Sequence, residues 1–154
     1  MRKLKSLWLV SVVLLLVSCS MSAKSDKSIE AGTASKGEVV TLNKAEFLQK
    51  VFNYEKNATK WVYEGDKPCI IDFYADWCGP CKQVAPILRD LAILYKNDIV
   101  VYKVNVDKEK ELAAAFGIQS IPTFLFIPKE GQPQISMGAL PREEFVKQID
   151  TFLL

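Results

Sequence analysis

The chain has 154 residues, of which 49% are hydrophobic and 25% are charged; this suits one globular core and argues against two domains of ordinary size. Three of its 20 basic residues (Arg2, Lys3 and Lys5) lie at the N-terminus, so the remainder is nearly neutral, with 17 basic against 18 acidic residues. No basic stripe or aromatic ladder is visible, which argues against a nucleic-acid-binding protein.

The N-terminal leader has the pattern of a secretory signal peptide over residues 1–18. Its basic start is followed by an apolar run of 11 residues, from Leu7 to Val17, with Ser11 as the single polar member. Such a run is too short to cross a membrane as a helix, but it matches the apolar centre of an export signal. The sequence therefore predicts an exported, periplasmic protein.

The leader ends in the run Leu-Val-Ser-Cys, whose cysteine is Cys19. This run resembles a bacterial lipobox, in which the chain is cut before the cysteine and the cysteine is then lipidated. We expect acyl chains on Cys19 to hold the protein at a membrane surface without a spanning segment. The alternative is an ordinary secreted protein in which Cys19 is removed or stays free.

Small and polar side chains dominate residues 19–38, which cannot bury enough apolar surface to fold. They predict a flexible tether with a root-mean-square span of about 25 Å. The folded domain is predicted over residues 39–154. Asn43 and Glu46 have capping-box spacing and predict a first helix that runs to about Tyr54.

The middle of the chain predicts a strand followed directly by a long helix. Residues 55–67 mix charged and aromatic side chains, and their pattern leaves a helix extension and a surface loop open. The apolar run 69–75 predicts a strand that is buried on both faces. The amphipathic pattern from Cys81 to about Lys96 predicts a helix, which Pro86 should kink.

A second strand and helix follow. The apolar residues 99–106 predict another buried strand, and Asp107 is the predicted N-cap of the helix after it. Phe116 is the last apolar residue of that helix, and Gly117 should close it in a left-handed conformation. Alternating strands and helices predict a parallel centre to the sheet.

The C-terminal part predicts a hairpin and a last helix. The strands 123–127 and 134–138 are joined by a short polar turn, which makes them antiparallel. The last helix is predicted to start with Pro141 at its first position. Together the elements predict an α/β sandwich of four or five strands with helices on both faces.

Two of the four cysteines, Cys78 and Cys81, form a CxxC pair between the predicted strand and the long helix. A zinc site would need further ligands, but the chain has no histidine and no second CxxC pair. A purely structural disulfide over so short a loop would stabilise the fold little. A redox function is therefore the better explanation, and no metal is expected.

The position of the pair at a helix N-terminus favours redox chemistry as well. Free N–H groups and the helix dipole should stabilise a thiolate at Cys78, which would attack first. Cys81 lies one turn later on the same face and can attack the resulting mixed disulfide. Gly79 allows the backbone to turn, and Pro80 fits the first helical turn without losing a useful N–H group.

The segment 72–82, with the sequence Asp-Phe-Tyr-Ala-Asp-Trp-Cys-Gly-Pro-Cys-Lys, resembles the active-site segment of thioredoxins, and the likeness extends over residues 39–154. The resemblance implies the thioredoxin fold, a central mixed β-sheet flanked by helices on both faces, and protein-disulfide reductase activity without a cofactor. It makes Cys78 the nucleophile, Cys81 the resolving thiol, and Trp77 the exposed aromatic residue beside them.

The same resemblance assigns a substrate-binding surface around the cysteines. Pro122 should follow a cis peptide bond and face the disulfide, while the backbone of Ile121 pairs with a substrate strand. Gly138 should allow a partner to approach closely beside Pro122. The substrate-binding residues implied are Trp77, Gly79, Pro80, Ile121, Pro122 and Gly138.

The resemblance further implies a buried carboxylate beneath the resolving cysteine. Asp72 matches this position, where loss of solvation would raise its pKa and let it accept the proton of Cys81. Lys103 matches the lysine that partners this carboxylate. The alternative for both residues is an ordinary surface charge, although each lies in an otherwise apolar run.

Three features depart from the thioredoxin pattern. Tyr74 stands where many members have tryptophan, residues 53–67 make a longer connection than usual, and Cys69 is an extra thiol. Cys69 lies within a predicted buried strand, so we expect a small core residue rather than a regulatory thiol.

Gly79 and Pro80 also indicate the direction of the reaction. This dipeptide resembles that of reducing thioredoxins, whereas exported oxidases and isomerases of the fold generally carry a histidine there. A histidine would stabilise the thiolate further and make the disulfide more oxidising. We expect a reductase, with a net oxidase or isomerase, or a binding module with idle cysteines, as the alternatives.

The predicted partners follow from the predicted location. An exported reductase has no access to cytosolic NADPH, so a membrane electron-transfer protein should keep the pair Cys78 and Cys81 reduced. Its substrates should be disulfide-containing proteins. The protein is expected to be a monomer.

Overall fold

Five strands form one mixed sheet in the computed structural model, which describes residues 37–154. In chain order the strands are β1 (Val39–Thr41), β2 (Cys69–Tyr74), β3 (Val100–Asn105), β4 (Thr123–Ile127) and β5 (Gln134–Met137). Across the sheet the order is β1-β3-β2-β4-β5; β1, β3 and β2 are parallel, and β4 is antiparallel to both β2 and β5. The predicted parallel centre and C-terminal hairpin are confirmed.

Helices cover both faces of this sheet, as predicted. They are α1 (Lys44–Lys50), α2 (Gly79–Leu94), α3 (Lys110–Ala115) and α4 (Arg142–Gln148), and a π-helical turn (Ile149–Leu153) continues α4. Within residues 37–154, none of the helices has the length and apolar character needed to cross a membrane.

The alternation of side chains along β2 divides the core into two layers. Ile70 belongs to the layer of α2 and α4, where the rings of Phe124 and Phe145 meet edge to face with centroids 4.9 Å apart. Ile71 belongs to the other layer, which α1 and α3 cover. Asp72 follows Ile70 by two residues, so its carboxylate faces the layer that contains α2.

The first helix is shorter than predicted, because it ends at Lys50 rather than near Tyr54. Val51 leaves the helical conformation with φ −125° and ψ −70°, and its side chain is fully buried. Phe52 then forms an isolated β-bridge with Tyr63. The chain leaves the helix here because the aromatic side chains of the connection to β2 pack on the second layer. This connection is therefore a folded loop and not a helix extension.

The third helix begins later than predicted, and Asp107 does not cap it. Its N-cap is Glu109, which makes no side-chain capping hydrogen bond. Asp107 instead accepts a hydrogen bond from Trp77, a partner distant in sequence. Gly117 has φ 61° after the helix, so the predicted left-handed residue is confirmed.

Smaller differences concern the helix ends and the first strand. α2 continues through Pro86 but ends at Leu94, two residues before the predicted boundary. Pro141 has extended backbone angles and is the N-cap of α4 rather than its first residue. β1 has three residues and follows no clear alternation, and its place is set by pairing with β3 rather than by its own pattern.

Candidate active site

The cysteine pair lies at the start of α2, where the chain turns from the central strand into the helix. Cys78 is the N-cap of α2 in an extended conformation, and its Sγ accepts a hydrogen bond from the Cys81 N–H at 3.2 Å. The two cysteines form a disulfide with their Cα atoms 5.3 Å apart. Because the Sγ of Cys78 accepts a backbone N–H at a helix N-terminus, negative charge on this sulfur is stabilised.

The disulfide is nearly covered by its neighbours. Cys78 is 3% exposed and Cys81 is 4% exposed, whereas Gly79 and Pro80 between them are exposed. Half-buried Ile121 packs against the cysteine cluster. A substrate must therefore approach over Gly79 and Pro80 and beside Ile121 to reach a sulfur atom.

A cis peptide bond joins Ile121 to Pro122, in agreement with the sequence prediction. Pro122 is buried at the start of β4, and its carbonyl accepts the N–H of Gly138 at 2.8 Å. Gly138 has φ 87°, which favours glycine because other residues rarely adopt this conformation. This hydrogen bond fixes the loop before β4 against the residue that follows β5.

Trp77 is held beside the disulfide by a hydrogen-bond network that the sequence did not indicate. Its side chain is 70% exposed, yet its Nε1–H donates to Asp107 Oδ2 at 2.9 Å. The N–H of Asp107 donates to Asn105 Oδ1 at 3.0 Å, and Asn105 Nδ2 donates to Asp76 Oδ2 at 3.2 Å. Asn105 is only 3% exposed and is the last residue of β3. A polar residue at the end of an apolar strand is the one sequence signal that could have identified this network.

Removing the Asp107 carboxylate, which accepts the hydrogen bond of the Trp77 indole, should weaken substrate binding. Asp107→Ala should raise the KM for a protein substrate about fivefold with little change in kcat, because the Trp77–Asp107 hydrogen bond is exposed to solvent and a typical hydrogen bond contributes about 1 kcal/mol. Steady-state reduction of insulin measures both constants. Asp98→Ala, which removes an exposed carboxylate from the turn after α2, is the matched control. A lower kcat at unchanged KM would contradict a role in substrate binding.

Asp72 is a buried carboxylate on β2. It is 5% exposed, and its Oδ1 has no hydrogen-bond partner. Loss of solvation raises its pKa to about 7, and the nearby positive charge of Lys103 opposes this rise. The strand register places Lys103 directly opposite Asp72 on β3. The two residues that the sequence predicted as partners therefore lie side by side.

Asp72 also shares a cavity with the active-site helix. The cavity has a volume of about 430 Å³, and Ala85, Asp72 and Lys103 contribute to its lining. Ala85 lies one turn after Cys81 on the same face of α2. Asp72 and the resolving cysteine are thus on the same side of the sheet, and the cavity gives the carboxylate a route for proton exchange.

Lys103 and Tyr74 form a second contact at this site. The Lys103 Nζ lies 5.3 Å from the centroid of the Tyr74 ring, within the range of a cation–π interaction. Tyr74 is the residue that departs from the thioredoxin pattern. An aromatic face is retained at this position, so the ammonium group keeps a partner beside Asp72.

Cys69 lies on β2 in the layer of α1 and α3, away from Asp72. It is a free thiol and fully buried, and burial raises its pKa to about 12. It therefore stays protonated near neutral pH and does not act as a nucleophile. The prediction of a small core residue is confirmed.

Two predictions concern other kinds of site. Cys19 lies outside residues 37–154, so its predicted lipidation has no structural counterpart here. Among the residues that the structure describes, no group of three or more histidine, cysteine, aspartate or glutamate side chains is arranged to hold a metal ion.

Comparisons with known proteins agree on one family. The thioredoxin family model matches residues 38–151. A thioredoxin from Borreliella burgdorferi is 48% identical over 113 residues, which are 73% of this chain and 96% of that protein. A thioredoxin from Chlorobaculum thiosulfatiphilum is 38% identical over 62% of this chain and 89% of its own. Among solved structures, a mutant thioredoxin from Halobacterium salinarum NRC-1 has a TM-score of 0.61 at 27% identity, covering 80% of this chain and 97% of its own.

Proposed function

Because the chain belongs to the thioredoxin family, whose members are protein-disulfide oxidoreductases, we propose that it reduces protein disulfides outside the cytoplasm through Cys78 and Cys81. The observation that carries the proposal is the disulfide between these cysteines at the N-terminus of α2. Pro122 and Ile121, joined by a cis peptide bond beside it, supply a surface for a substrate.

The reaction starts from the reduced pair. The Cys78 thiolate attacks one sulfur of a substrate disulfide, forming a mixed disulfide and releasing the other substrate sulfur as a thiolate. Cys81 loses its proton and attacks the Sγ of Cys78, which forms the Cys78–Cys81 disulfide and releases the second substrate thiolate. Two electrons pass from the dithiol to the substrate, and the two substrate thiolates take up protons.

Asp72 is the proposed acceptor of the Cys81 proton. It is the buried carboxylate on the side of the sheet that α2 covers, and the chain has no histidine to serve as a base. Its pKa of about 7 allows it to gain and lose a proton near neutral pH. Lys103 lies opposite on β3 and stabilises the carboxylate when it is charged.

The residues around the disulfide support reduction rather than oxidation. Gly79 and Pro80 separate the cysteines, and the sequence contains no histidine that could further stabilise the thiolate. A less stabilised thiolate makes the dithiol a stronger reductant. The opposite direction, net oxidation or isomerisation, would need a pair that is held more strongly in the reduced form.

The N-terminal leader supports a location outside the cytoplasm. Residues 1–18 have the pattern of an export signal, and Cys19 follows in a lipobox-like run. We infer a periplasmic domain anchored by acyl chains on Cys19 and supplied with electrons by a membrane protein. The domain itself is expected to work as a monomer on disulfide-containing proteins.

Trapping the thiol state in intact cells tests this function. Cells are quenched in acid, and free thiols are then tagged with a maleimide that adds mass; a reductase should show Cys78 and Cys81 mainly reduced in the exported fraction. A pair that is fully oxidised at steady state would instead identify an oxidant.

Labelling with a palmitate analogue tests the lipid anchor. The label should mark the protein but not its Cys19→Ala variant.

A further inference from the structure

The N-terminal segment joins the domain at the end opposite to the disulfide. β1 is parallel to β3 and β2, and its first residue Val39 lies beside Val101, near the start of β3. The disulfide follows the other end of these strands, because Cys78 comes shortly after Tyr74, the last residue of β2. Gly37 precedes the start of β1 and Cys78 follows the end of β2, so the two residues lie at opposite ends of the parallel strands.

The active-site helix α2 also separates the two features, with the disulfide at its N-terminus and Gly37 near its C-terminus. α2 spans 16 residues from Gly79 to Leu94, which corresponds to a length of about 24 Å. Gly37 packs against its last turn, because a Cβ atom added to this glycine would lie 3.1 Å from the Ile93 Cα. The chain thus enters the domain beside the end of α2 that is farthest from the disulfide.

Two large apolar side chains are exposed at this point of entry. Ile93 is 61% exposed and Leu94 is 59% exposed, so contact with an apolar phase would remove a large apolar surface from water. Trp77 and Met137 are each 70% exposed. Trp77 lies beside the disulfide and Met137 precedes Gly138, so the proposed substrate surface explains the exposure of both. Ile93 and Leu94 are not part of that surface.

Charged groups of both signs border this pair, which we call the entry patch (Ile93 and Leu94). The cavity that Asp72 and Lys103 line extends to this point, where its lining residues are Gly37, Glu38, Arg89 and Ile93. Lys67, in the connection before β2, donates from its Nζ to the Lys96 carbonyl at 3.4 Å, so two lysines lie near the C-terminal end of α2. Exposed carboxylates of Glu38, Asp90 and Asp98 lie in the same region, so the charges around the patch are balanced. It is the exposed apolar side chains that suit the interface of a bilayer.

We propose that the entry patch contacts the lipid bilayer that carries the acyl chains of Cys19, so that the disulfide points away from the membrane. This rests on the lipid anchor of the proposed function. Seventeen residues separate Cys19 from Gly37, which limits the distance to at most about 60 Å. Two side chains would bind a membrane weakly alone, but the anchor makes the contact intramolecular and raises the effective concentration of lipid.

Hydroxyl-radical footprinting of the mature, lipidated protein in vesicles of phosphatidylethanolamine and phosphatidylglycerol tests the contact. Oxidation of Ile93 and Leu94 should fall at least threefold relative to the unlipidated Cys19→Ala protein. Oxidation of Trp77 and Met137 should not change. Equal oxidation of the entry patch in both proteins would overturn the contact and leave the reductase function standing.

A Leu94→Asp variant separates membrane contact from catalysis, because Leu94 does not line the cavity of Asp72. It should reduce insulin at the normal rate in solution but lose the orientation, so that Trp77 on vesicles becomes partly protected. The matched control is Ile135→Asp, which changes an exposed apolar side chain on β5 and should keep the orientation. Mass spectrometry of the mature N-terminus gives the acylation state, and absence of acyl groups would overturn both the anchor and the contact.

Discussion

Replacing Cys81 by serine should abolish turnover and trap the protein on its substrates. Cys78 can still attack a substrate disulfide, because its Sγ keeps the helix N-terminus and the backbone N–H of residue 81. The mixed disulfide then has no resolving thiol, so reduction of insulin should fall to the uncatalysed rate. Non-reducing electrophoresis followed by mass spectrometry should show covalent complexes through Cys78.

Two other cysteine variants serve as controls. Cys78→Ser should also lose activity but form no complexes, because the attacking thiolate is absent. Cys69→Ser should keep near-normal turnover, since Cys69 is buried in the opposite layer. If Cys78→Ser trapped substrates and Cys81→Ser did not, the roles of the two cysteines would be reversed.

Asp72→Asn should stabilise the oxidised protein at neutral and alkaline pH. The pKa of Asp72 rises from 3.8 to about 7 in the fold because burial disfavours the charged carboxylate. Between these values the folded state retains a proton that the unfolded state has lost. The free energy of unfolding of the wild type therefore falls as pH rises through this window, by about 4 kcal/mol in all. In the Asp72→Asn variant the free energy of unfolding lacks this decrease, because asparagine does not titrate.

Urea unfolding from pH 3 to pH 9 measures the difference. The variant should gain about 4 kcal/mol relative to the wild type between the two ends of the range. Any cost of burying an amide is the same at each pH and does not alter the slope. Keeping Cys78 and Cys81 oxidised prevents their titration. Asp90→Asn, an exposed carboxylate on α2, is the control, and a parallel curve for Asp72→Asn would contradict the elevated pKa.

The same variant should be a poorer catalyst. Loss of a general base commonly costs about 10²- to 10⁴-fold in rate, and the step affected is resolution by Cys81. Single-turnover experiments should show normal formation of the mixed disulfide followed by slow release. The rate of release in the wild type should rise with pH near 7, where Asp72 becomes charged, and this rise should be absent in the variant.

Much of the fold could be predicted because its signals are local. The apolar run of β2, the amphipathic pattern of α2 and the turn before β5 each depend on residues close together in the chain. Gly117 was predictable for the same reason, since a helix that ends in a left-handed residue favours glycine. The end of α1 was not predictable, because Val51 leaves the helix to satisfy packing with residues of the following loop.

The sequence by itself determined the chemistry: a CxxC pair before a helix and a carboxylate within an apolar strand. It also predicts an export signal ahead of them. Only the tertiary structure decided how this chemistry is arranged. Trp77 and Asp107 are 30 residues apart, and Asp72 and Lys103 meet through strand pairing. The contact of Gly37 with the far end of α2 is likewise a long-range one. Such contacts depend on the packing of separate elements, whereas a sequence pattern reports only the preference of each element for its own conformation.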